Sequence, residues 1–197
     1  MENSKGGSGS CGLPYGIERV LVSREEISKR IKELASIINN DYKDCKKPLI
    51  IVGVLKGSFI FLADLVREIT IPHIVDFISV TSYGDKKGTK STGTVRLLMD
   101  TREDQKDHDV LIVEDILDSG WTLSYLNKYF LSREPKSVRN MVLLDKPNRH
   151  EADVRIDYLG FKIDDVWVVG YGLDYREKFR TLGYIAELDV SKIEEDE

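Results

Sequence analysis

The chain has 197 residues, 41% hydrophobic and 32% charged, which suits one globular domain. Its formal net charge of −5 argues against broad nucleic-acid binding, which needs a basic face, but allows a small anion held by backbone dipoles or a metal. No run approaches the roughly 20 apolar residues of a membrane span, and no apolar signal segment is evident, so a cytoplasmic location is expected. Cys11 and Cys45 are too few for a disulfide framework or a zinc cluster, and we expect free thiols.

Residues 1–16 are typical of a linker-like tail, and residues 17–197 are predicted to form a single domain. Ser23 followed by Glu26 is the pattern of a helix-capping box. The helix that it opens has one apolar face, formed by Ile27, Ile31, Leu34 and Ile38.

Short apolar runs then alternate with helical stretches. Strands are predicted at residues 49–55, 75–80, 110–113, 141–144 and 166–171, and helices at 59–69 and 121–131. This alternation predicts an α/β fold, with a mostly parallel central sheet flanked by helices on both faces. Ligands of such sheets bind beyond the carboxyl ends of the strands. The polar residues 81–102 predict a mobile functional loop or a hairpin excursion, with a possible returning strand at 94–99.

Residues 110–122, VLIVEDILDSGWT, carry the strongest chemical signal. A buried strand is followed by the carboxylates Glu114 and Asp115, two apolar residues, and a glycine turn that leads into a helix. The two carboxylates can accept hydrogen bonds from ribose hydroxyls or hold a metal ion. The Walker phosphate-loop pattern G-x-x-x-x-G-K-[ST] is absent from the sequence.

The glycine turn suits a phosphate ester. Gly120 lets the backbone approach an anion, and the amides and dipole at the helix start favour its negative charge. Ser119 and Thr122 can add hydroxyl donors, and Asp118 lies where the edge of a base can reach it. An isolated D-S-G-x-T is more often an ordinary helix cap, so the interpretation depends on the whole strand, carboxylate and loop arrangement.

Residues 110–122 resemble the phosphoribosyl-diphosphate motif of type I phosphoribosyltransferases, most closely the short bacterial-type hypoxanthine-guanine phosphoribosyltransferases. The resemblance covers residues 20–188, because LKGS at 55–58, SYG at 82–84, and LDKP at 144–147 with VVGYGLDY at 168–175 also agree. It implies the type I fold, with a small hood region and a mobile loop. The implied reaction moves a 5-phosphoribosyl group from phosphoribosyl diphosphate to N9 of hypoxanthine or guanine, giving IMP or GMP and diphosphate.

The resemblance assigns the diphosphate group to the turn after the first parallel strand. Backbone amides at Lys56 and Gly57 would bind it, with a cis peptide bond between Leu55 and Lys56. Arg180 would contact the same group, for which a guanidinium is well suited. From the residues alone, the favoured interpretation of Lys56 is a lysine whose stem lies along the strand end, and Arg180 can be an ordinary surface arginine.

A mobile loop that begins at Ser82 and Tyr83 would close over the site and exclude water, although an exposed loop aromatic is an equal alternative for Tyr83. The family pattern has a smaller or polar residue where this chain has Trp121, so the indole needs a separate location. The implied phosphoribosyl-binding residues are Glu114, Asp115, Asp118, Ser119, Gly120, Trp121 and Thr122.

The implied purine site uses side chains from several strand ends. Asp118 matches the proposed general acid or base beside purine N7, and Lys146 matches the donor to the 6-oxygen, which favours 6-oxopurines over 6-aminopurines. Trp167 would stack on the ring, the carbonyl of Val168 would read the purine edge, and Asp174 completes this group. The residues alone also allow a surface lysine and a core tryptophan at these positions.

Mg²⁺ is the implied cofactor, with Glu114, Asp115 and Asp174 as its ligands. The implied partners are phosphoribosyl diphosphate and a 6-oxopurine base, without nucleic acid or membrane, and the family forms homodimers and homotetramers. Two alternatives stay open: a nucleotide-sensing regulator of the same fold that binds RNA, and a transferase that prefers xanthine or a pyrimidine. Lys146 and Trp167 favour a 6-oxopurine but do not separate hypoxanthine, guanine and xanthine.

Overall fold

The computed structural model describes residues 13–84 and 91–194, in which two sheets and their flanking helices are built from thirteen strands and α-helices. In chain order these are β1 Ile17–Val22, α1 Arg24–Asp41, β2 Leu49–Leu55, α2 Phe59–Glu68, β3 His73–Gly84, β4 Ser91–Met99, β5 Asp109–Leu117, α3 Trp121–Leu131, β6 Ser137–Asp145, β7 Tyr158–Lys162, β8 Val168–Val169, β9 Ile185–Leu188 and α4 Val190–Glu194. A short 3-10 helix, Pro147–Arg149, follows β6.

The main sheet has the order β4-β3-β2-β5-β6-β7. Its strands are parallel except β4, which pairs antiparallel with β3. Alternate residues of β2 face opposite sides: Ile51 packs in the cluster that contains α1 and α2, whereas Ile50 and Val52 pack against α3. The predicted α/β fold with helices on both faces is therefore confirmed.

The start of α1 follows directly from local sequence. The hydroxyl of Ser23 accepts from the amide of Glu26, and the carboxylate of Glu26 accepts from the amide of Ser23 at 2.8 Å, a capping box that stabilises a helix start by about 1 kcal/mol. The predicted apolar face is buried along its whole length, at Ile27, Ile31, Leu34 and Ile38.

Two strand predictions need correction, and one strand of the main sheet was missed. β5 runs on to Leu117 because it continues to pair with β6, so Glu114 and Asp115 lie within the strand and do not follow it. The predicted strand at 166–171 is only Val168–Val169, and it ends before Gly170, which takes a left-handed conformation with φ of 96°. This short strand lies in the smaller sheet, whose order is β1-β9-β8. The last parallel strand of the main sheet is instead β7, which was not predicted from the sequence.

Of the two interpretations of residues 81–102, the hairpin describes the chain, because β4 returns antiparallel along β3. Ser82 and Tyr83 are at the end of β3, opposite Val95 and Thr94. The remainder of the predicted mobile loop at 85–90 lies outside the described residues, as do most of the predicted tail and Cys11.

Cys45 carries a free thiol. Within the described ranges, no helix has the length and apolar character to cross a membrane.

Candidate active site

The ends of β2, β5 and β6 meet at one edge of the main sheet, because these neighbouring strands are parallel. The glycine turn after β5 lies at this edge. Gly120 caps α3 with φ of 86°, a conformation that other residues adopt only at a cost. A Cβ atom at this position would also lie 3.1 Å from the carbonyl oxygen of Ala152. Glycine is thus required by both its dihedral angle and its neighbour.

The backbone amides of this turn are not used inside the described part of the protein. No hydrogen bond is donated there by the amides of residues 119–122, and Gly120 has no side chain to cap the helix. The first amide of the region with an acceptor is that of Ser124, which donates to the carbonyl of Gly120 at 2.9 Å. A helix N-terminus with unused amides is a ready site for an anion such as a phosphate.

The turn is held from behind by the segment after the 3-10 helix. The carbonyl of Ser119 accepts from the amides of Glu151 and Ala152 at 2.9 and 3.0 Å. The indole nitrogen of Trp121 donates to a carboxylate oxygen of Glu151 at 3.0 Å, which gives the unusual tryptophan a location. The turn is therefore held through its carbonyl and a side chain, which leaves its amides available.

Two acidic residues, Glu114 and Asp115, lie near the carboxyl end of β5, and Asp115 contacts the turn that follows β2. Glu114 is 8% exposed, and one of its carboxylate oxygens has no hydrogen-bond partner among the described residues. Burial, and then the neighbouring Asp115, raise the pKa of Glu114 well above its usual range. A Cβ atom on Gly57 would lie 1.8 Å from a carboxylate oxygen of Asp115, so these two residues are in direct contact.

The turn after β2 also touches the C-terminal part of the chain. The peptide bond between Leu55 and Lys56 is cis, as the family resemblance implied. Gly172, with φ of 105°, packs so closely on Gly57 that a Cβ atom there would lie 1.9 Å from the Gly57 carbonyl oxygen. This contact brings the loop that carries Asp174 and Arg180 to the predicted diphosphate site.

The charged residues of that loop form one network. The guanidinium of Arg180 lies 2.8 Å from a carboxylate oxygen of Asp174, 3.0 Å from one of Glu177, and donates to the carbonyl of Gly172 at 2.9 Å. Glu177 also pairs with Lys56 at 3.0 Å. The structure therefore brings together the predicted residues Lys56, Gly57, Asp174 and Arg180.

A second set of predicted residues shares one cleft. Asp118, Lys146 and Trp167 line a cavity of about 800 Å³ beside the glycine turn, together with Val166, which was not predicted as a site residue. Trp167 is 57% exposed and meets Tyr175 edge to face, so the core-tryptophan alternative does not describe it. Lys146 is 9% exposed, with its amino group 3.7 Å from Asp165, so it is not an ordinary surface lysine.

Val168 itself is buried, but its backbone faces outward from the smaller sheet. The amide of Leu188 donates to the carbonyl of Trp167 at 2.9 Å. Because antiparallel pairs alternate between bonded and non-bonded positions, the carbonyl of the next residue, Val168, points away from β9. β8 is an edge strand of that sheet, so this carbonyl is directed to its open side.

The predicted metal ligands Glu114, Asp115 and Asp174 stay a prediction. In residues 13–84 and 91–194, no three His, Cys, Asp or Glu side chains form a group that could hold a metal ion by themselves. Magnesium, however, is commonly held by one or two carboxylates together with substrate phosphates. Asp115 beside Gly57, and Asp174 on the loop that contacts Gly57, fit that arrangement.

Comparison with known proteins decides the family. The model of the phosphoribosyl transferase domain matches residues 21–176 of the chain. The chain belongs to the phosphoribosyltransferase family. Its relatives include the hypoxanthine phosphoribosyltransferase of Salmonella typhimurium, 47% identical over 169 residues (86% of this chain and 94% of the relative), and the hypoxanthine-guanine phosphoribosyltransferase of Bacillus subtilis, 46% identical over 176 residues (89% and 96%).

Solved structures agree with the architecture of this phosphoribosyltransferase. A hypoxanthine phosphoribosyltransferase from Staphylococcus aureus superposes with a TM-score of 0.84 at 44% identity, over 89% of this chain and 94% of that one. The type I fold that the resemblance implied is therefore confirmed, and proteins of this family use a metal cofactor.

Three charged residues of this phosphoribosyltransferase were missed from the sequence. Arg149 and Asp165 line the cleft of Trp167, and Glu177 bridges Lys56 and Arg180. Asp165 could have been found, because it follows β7 at the carboxyl edge of the sheet, but β7 itself was not recognised. No local signal distinguishes Arg149 or Glu177 from surface charges.

Proposed function

We propose that this phosphoribosyltransferase acts in purine salvage, moving the 5-phosphoribosyl group of phosphoribosyl diphosphate to N9 of hypoxanthine or guanine. The products are IMP or GMP and diphosphate. One observation carries the proposal: unused amides at residues 119–122 adjoin a cleft lined by Asp118, Lys146 and Trp167. The names of the Salmonella and Bacillus relatives support the choice of base.

The amides of residues 119–122, with the hydroxyls of Ser119 and Thr122, bind the 5-phosphate in this proposal. Glu114 and Asp115 accept hydrogen bonds from the ribose hydroxyls. Holding a phosphate remote from the reacting carbon supplies binding energy and orientation, and thereby lowers the entropic part of the barrier.

The leaving diphosphate binds at the Lys56–Gly57 turn and Arg180. We further propose Mg²⁺ as the metal, held by Asp115 and Asp174 together with oxygens of the substrate. When bound, the ion would neutralise charge on the diphosphate as it departs. Burial raises the pKa of Glu114 and of Asp115, and a bound cation would favour the charged form of both carboxylates.

The purine enters the cleft beside Trp167, which stacks on its ring. Lys146 donates to the 6-oxygen, and the carbonyl of Val168 accepts from the opposite edge. Asp118 takes or shares the proton at N7 while N9 attacks C1 of the ribose and the bond from C1 to the diphosphate oxygen breaks. Attack on the face opposite the leaving group inverts the configuration at C1.

Incubation of the protein with labelled phosphoribosyl diphosphate, Mg²⁺ and one base at a time tests the proposal. We expect labelled IMP with hypoxanthine or GMP with guanine, and none when a chelator removes the metal. Transfer only to xanthine would favour the alternative base specificity. No transfer to any base, with a salt-dependent shift of RNA on a gel, would favour the regulator instead.

We also propose that the protein is a cytoplasmic homodimer or homotetramer. Val75 and Phe77 alternate along β3 on one face, and Met99 is paired opposite Ser79 in the same row, yet all three apolar side chains are exposed. A second copy of the chain would cover such a face. Sedimentation equilibrium measures the mass, and a single species of about 22.5 kDa would contradict the proposal.

A further inference from the structure

One carboxylate holds both cations that the proposed function assigns to the diphosphate. An oxygen of Glu177 lies 3.0 Å from the amino group of Lys56, and the other oxygen lies 3.0 Å from the guanidinium of Arg180. Each cation thus has its own oxygen of the same carboxylate. An anionic group between these two cations is in the position that the diphosphate requires.

The backbone fixes where Glu177 starts. Tyr175 and Lys178 close a tight turn, with backbone hydrogen bonds of 3.2 and 2.9 Å between them, and the two central residues, Arg176 and Glu177, have φ of 49° and 64°. This left-handed conformation is uncommon for residues other than glycine. A carboxylate oxygen of Asp174 accepts from the amide of Glu177 at 2.8 Å and helps to hold the turn.

The side chain, in contrast, is easily displaced. Glu177 and Lys56 are 64% and 66% exposed, and solvent-exposed ion pairs contribute little to stability. Arg180 is 16% exposed and keeps its bonds to Asp174 and to the Gly172 carbonyl without Glu177. Departure of the Glu177 carboxylate therefore frees Lys56, while Arg180 stays in place.

We propose that Glu177 is an internal counter-ion that occupies the diphosphate subsite of the free enzyme and is displaced by the substrate's diphosphate group. This inference rests on the proposed function and deepens it. In the free protein the carboxylate holds two like charges in binding position. Because incoming diphosphate has to displace it, and the carboxylate can return afterwards, Glu177 weakens diphosphate binding and promotes its release as product.

The test is calorimetric titration of inorganic diphosphate with Mg²⁺ into the full chain. Glu177→Gln removes the charge at nearly constant size, and Glu177→Gly removes the side chain at a dihedral angle that suits glycine. Both should lower the Kd for diphosphate about five- to tenfold, the scale of one unit charge a few ångströms away in a water-like medium. IMP, which lacks diphosphate, should bind as it does to the wild type.

Steady-state kinetics supply a readout that a purely structural role would not produce. The KM for phosphoribosyl diphosphate should fall in both variants by a similar factor, the KM for the purine should stay constant, and kcat should fall because diphosphate leaves more slowly. Glu33→Gln is the matched control: it removes the same charge from an exposed pair with Arg30 on α1 and should change none of these constants.

The outcomes separate the two ideas. If the wild type binds diphosphate and both variants bind it equally or more weakly, the counter-ion proposal is wrong and the proposed function stands. Wild-type protein that binds no diphosphate overturns the proposed function, and this inference with it. If the variants bind both IMP and diphosphate more tightly than the wild type does, the counter-ion proposal is also wrong, because the effect is then not confined to the diphosphate subsite.

Discussion

The guanidinium of Arg149 donates from Nε to Oδ1 of Asp118 at 2.9 Å, inside the cleft that also contains Trp167. The pairing raises the pKa of Arg149 above its usual value, with the hydrogen bond to Asp118 as the largest cause. The carboxylate that we propose to act on purine N7 is therefore already engaged by a cation in the free protein. A bound purine has to compete with Arg149 for Asp118.

Asp118→Asn tests the proton transfer at N7. We expect kcat to fall about 10²- to 10⁴-fold, the usual contribution of a positioned acid or base, while the Kd for IMP changes little. Arg149→Gln is the control, since it breaks the same ion pair and leaves the carboxylate; its loss of kcat should be much smaller. Equal losses of turnover and IMP binding in Asp118→Asn would reject the catalytic role.

Gly120→Ala tests the phosphate turn. A side chain there meets both the left-handed dihedral angle and the Ala152 carbonyl, so we expect a stability loss of about 1–3 kcal/mol and a higher KM for phosphoribosyl diphosphate. Thermal unfolding and initial rates measure these effects. Gly183→Ala is the matched control, because its Cβ atom would approach only a side-chain carbon of Arg24, at 3.8 Å. Equal changes in stability and KM for Gly120→Ala and Gly183→Ala would contradict the proposed role of the turn in phosphate binding.

Trp167→Ala tests stacking in the purine cleft. Base stacking contributes about 1–3 kcal/mol, so the KM for the purine should rise about 5- to 150-fold. The midpoint of thermal unfolding should barely change, because Trp167 is 57% exposed. Trp167→Phe should restore most of the affinity. A large fall in the unfolding midpoint with unchanged purine KM would show that Trp167 is structural.

Asp109, at the start of β5, predicts a pH dependence of stability. Burial opposes its ionisation, but hydrogen bonds from Lys136, Ser137 and Cys45 prevail and lower the pKa of Asp109 below its ordinary value of 3.8. A depressed carboxyl pKa stabilises the fold above the unfolded-state value, and that stability is lost as pH falls through the folded-state value.

Asp109→Asn should therefore destabilise the protein by about 1.5–3 kcal/mol at pH 7, the usual contribution of hydrogen bonds to a charged group. The difference from the wild type should shrink as pH falls below about 4. Urea unfolding at several pH values measures both effects. The exposed Asp44→Asn is the control. A difference that is constant from pH 7 to pH 3 would contradict the assigned charge.

Local sequence was enough for the features that depend on neighbours within a few residues. The capping box of Ser23 and Glu26, the buried stripe of α1 and the start of α3 after Gly120 were all predicted, because each is stabilised by groups three or four positions apart. The parallel core strands were also recognised, since strands buried on both faces form continuous apolar runs.

Tertiary structure alone decided the rest. β7 is held by pairing with β6 and not by its own composition, so its position, and that of Asp165 beyond it, could not be read locally. The pairs of Arg149 with Asp118 and of Glu177 with Lys56 join residues 31 and 121 positions apart. A charged side chain carries the same local pattern whether its partner is water or a distant residue. Which charges meet is determined only when the sheet brings the ends of its strands to one edge.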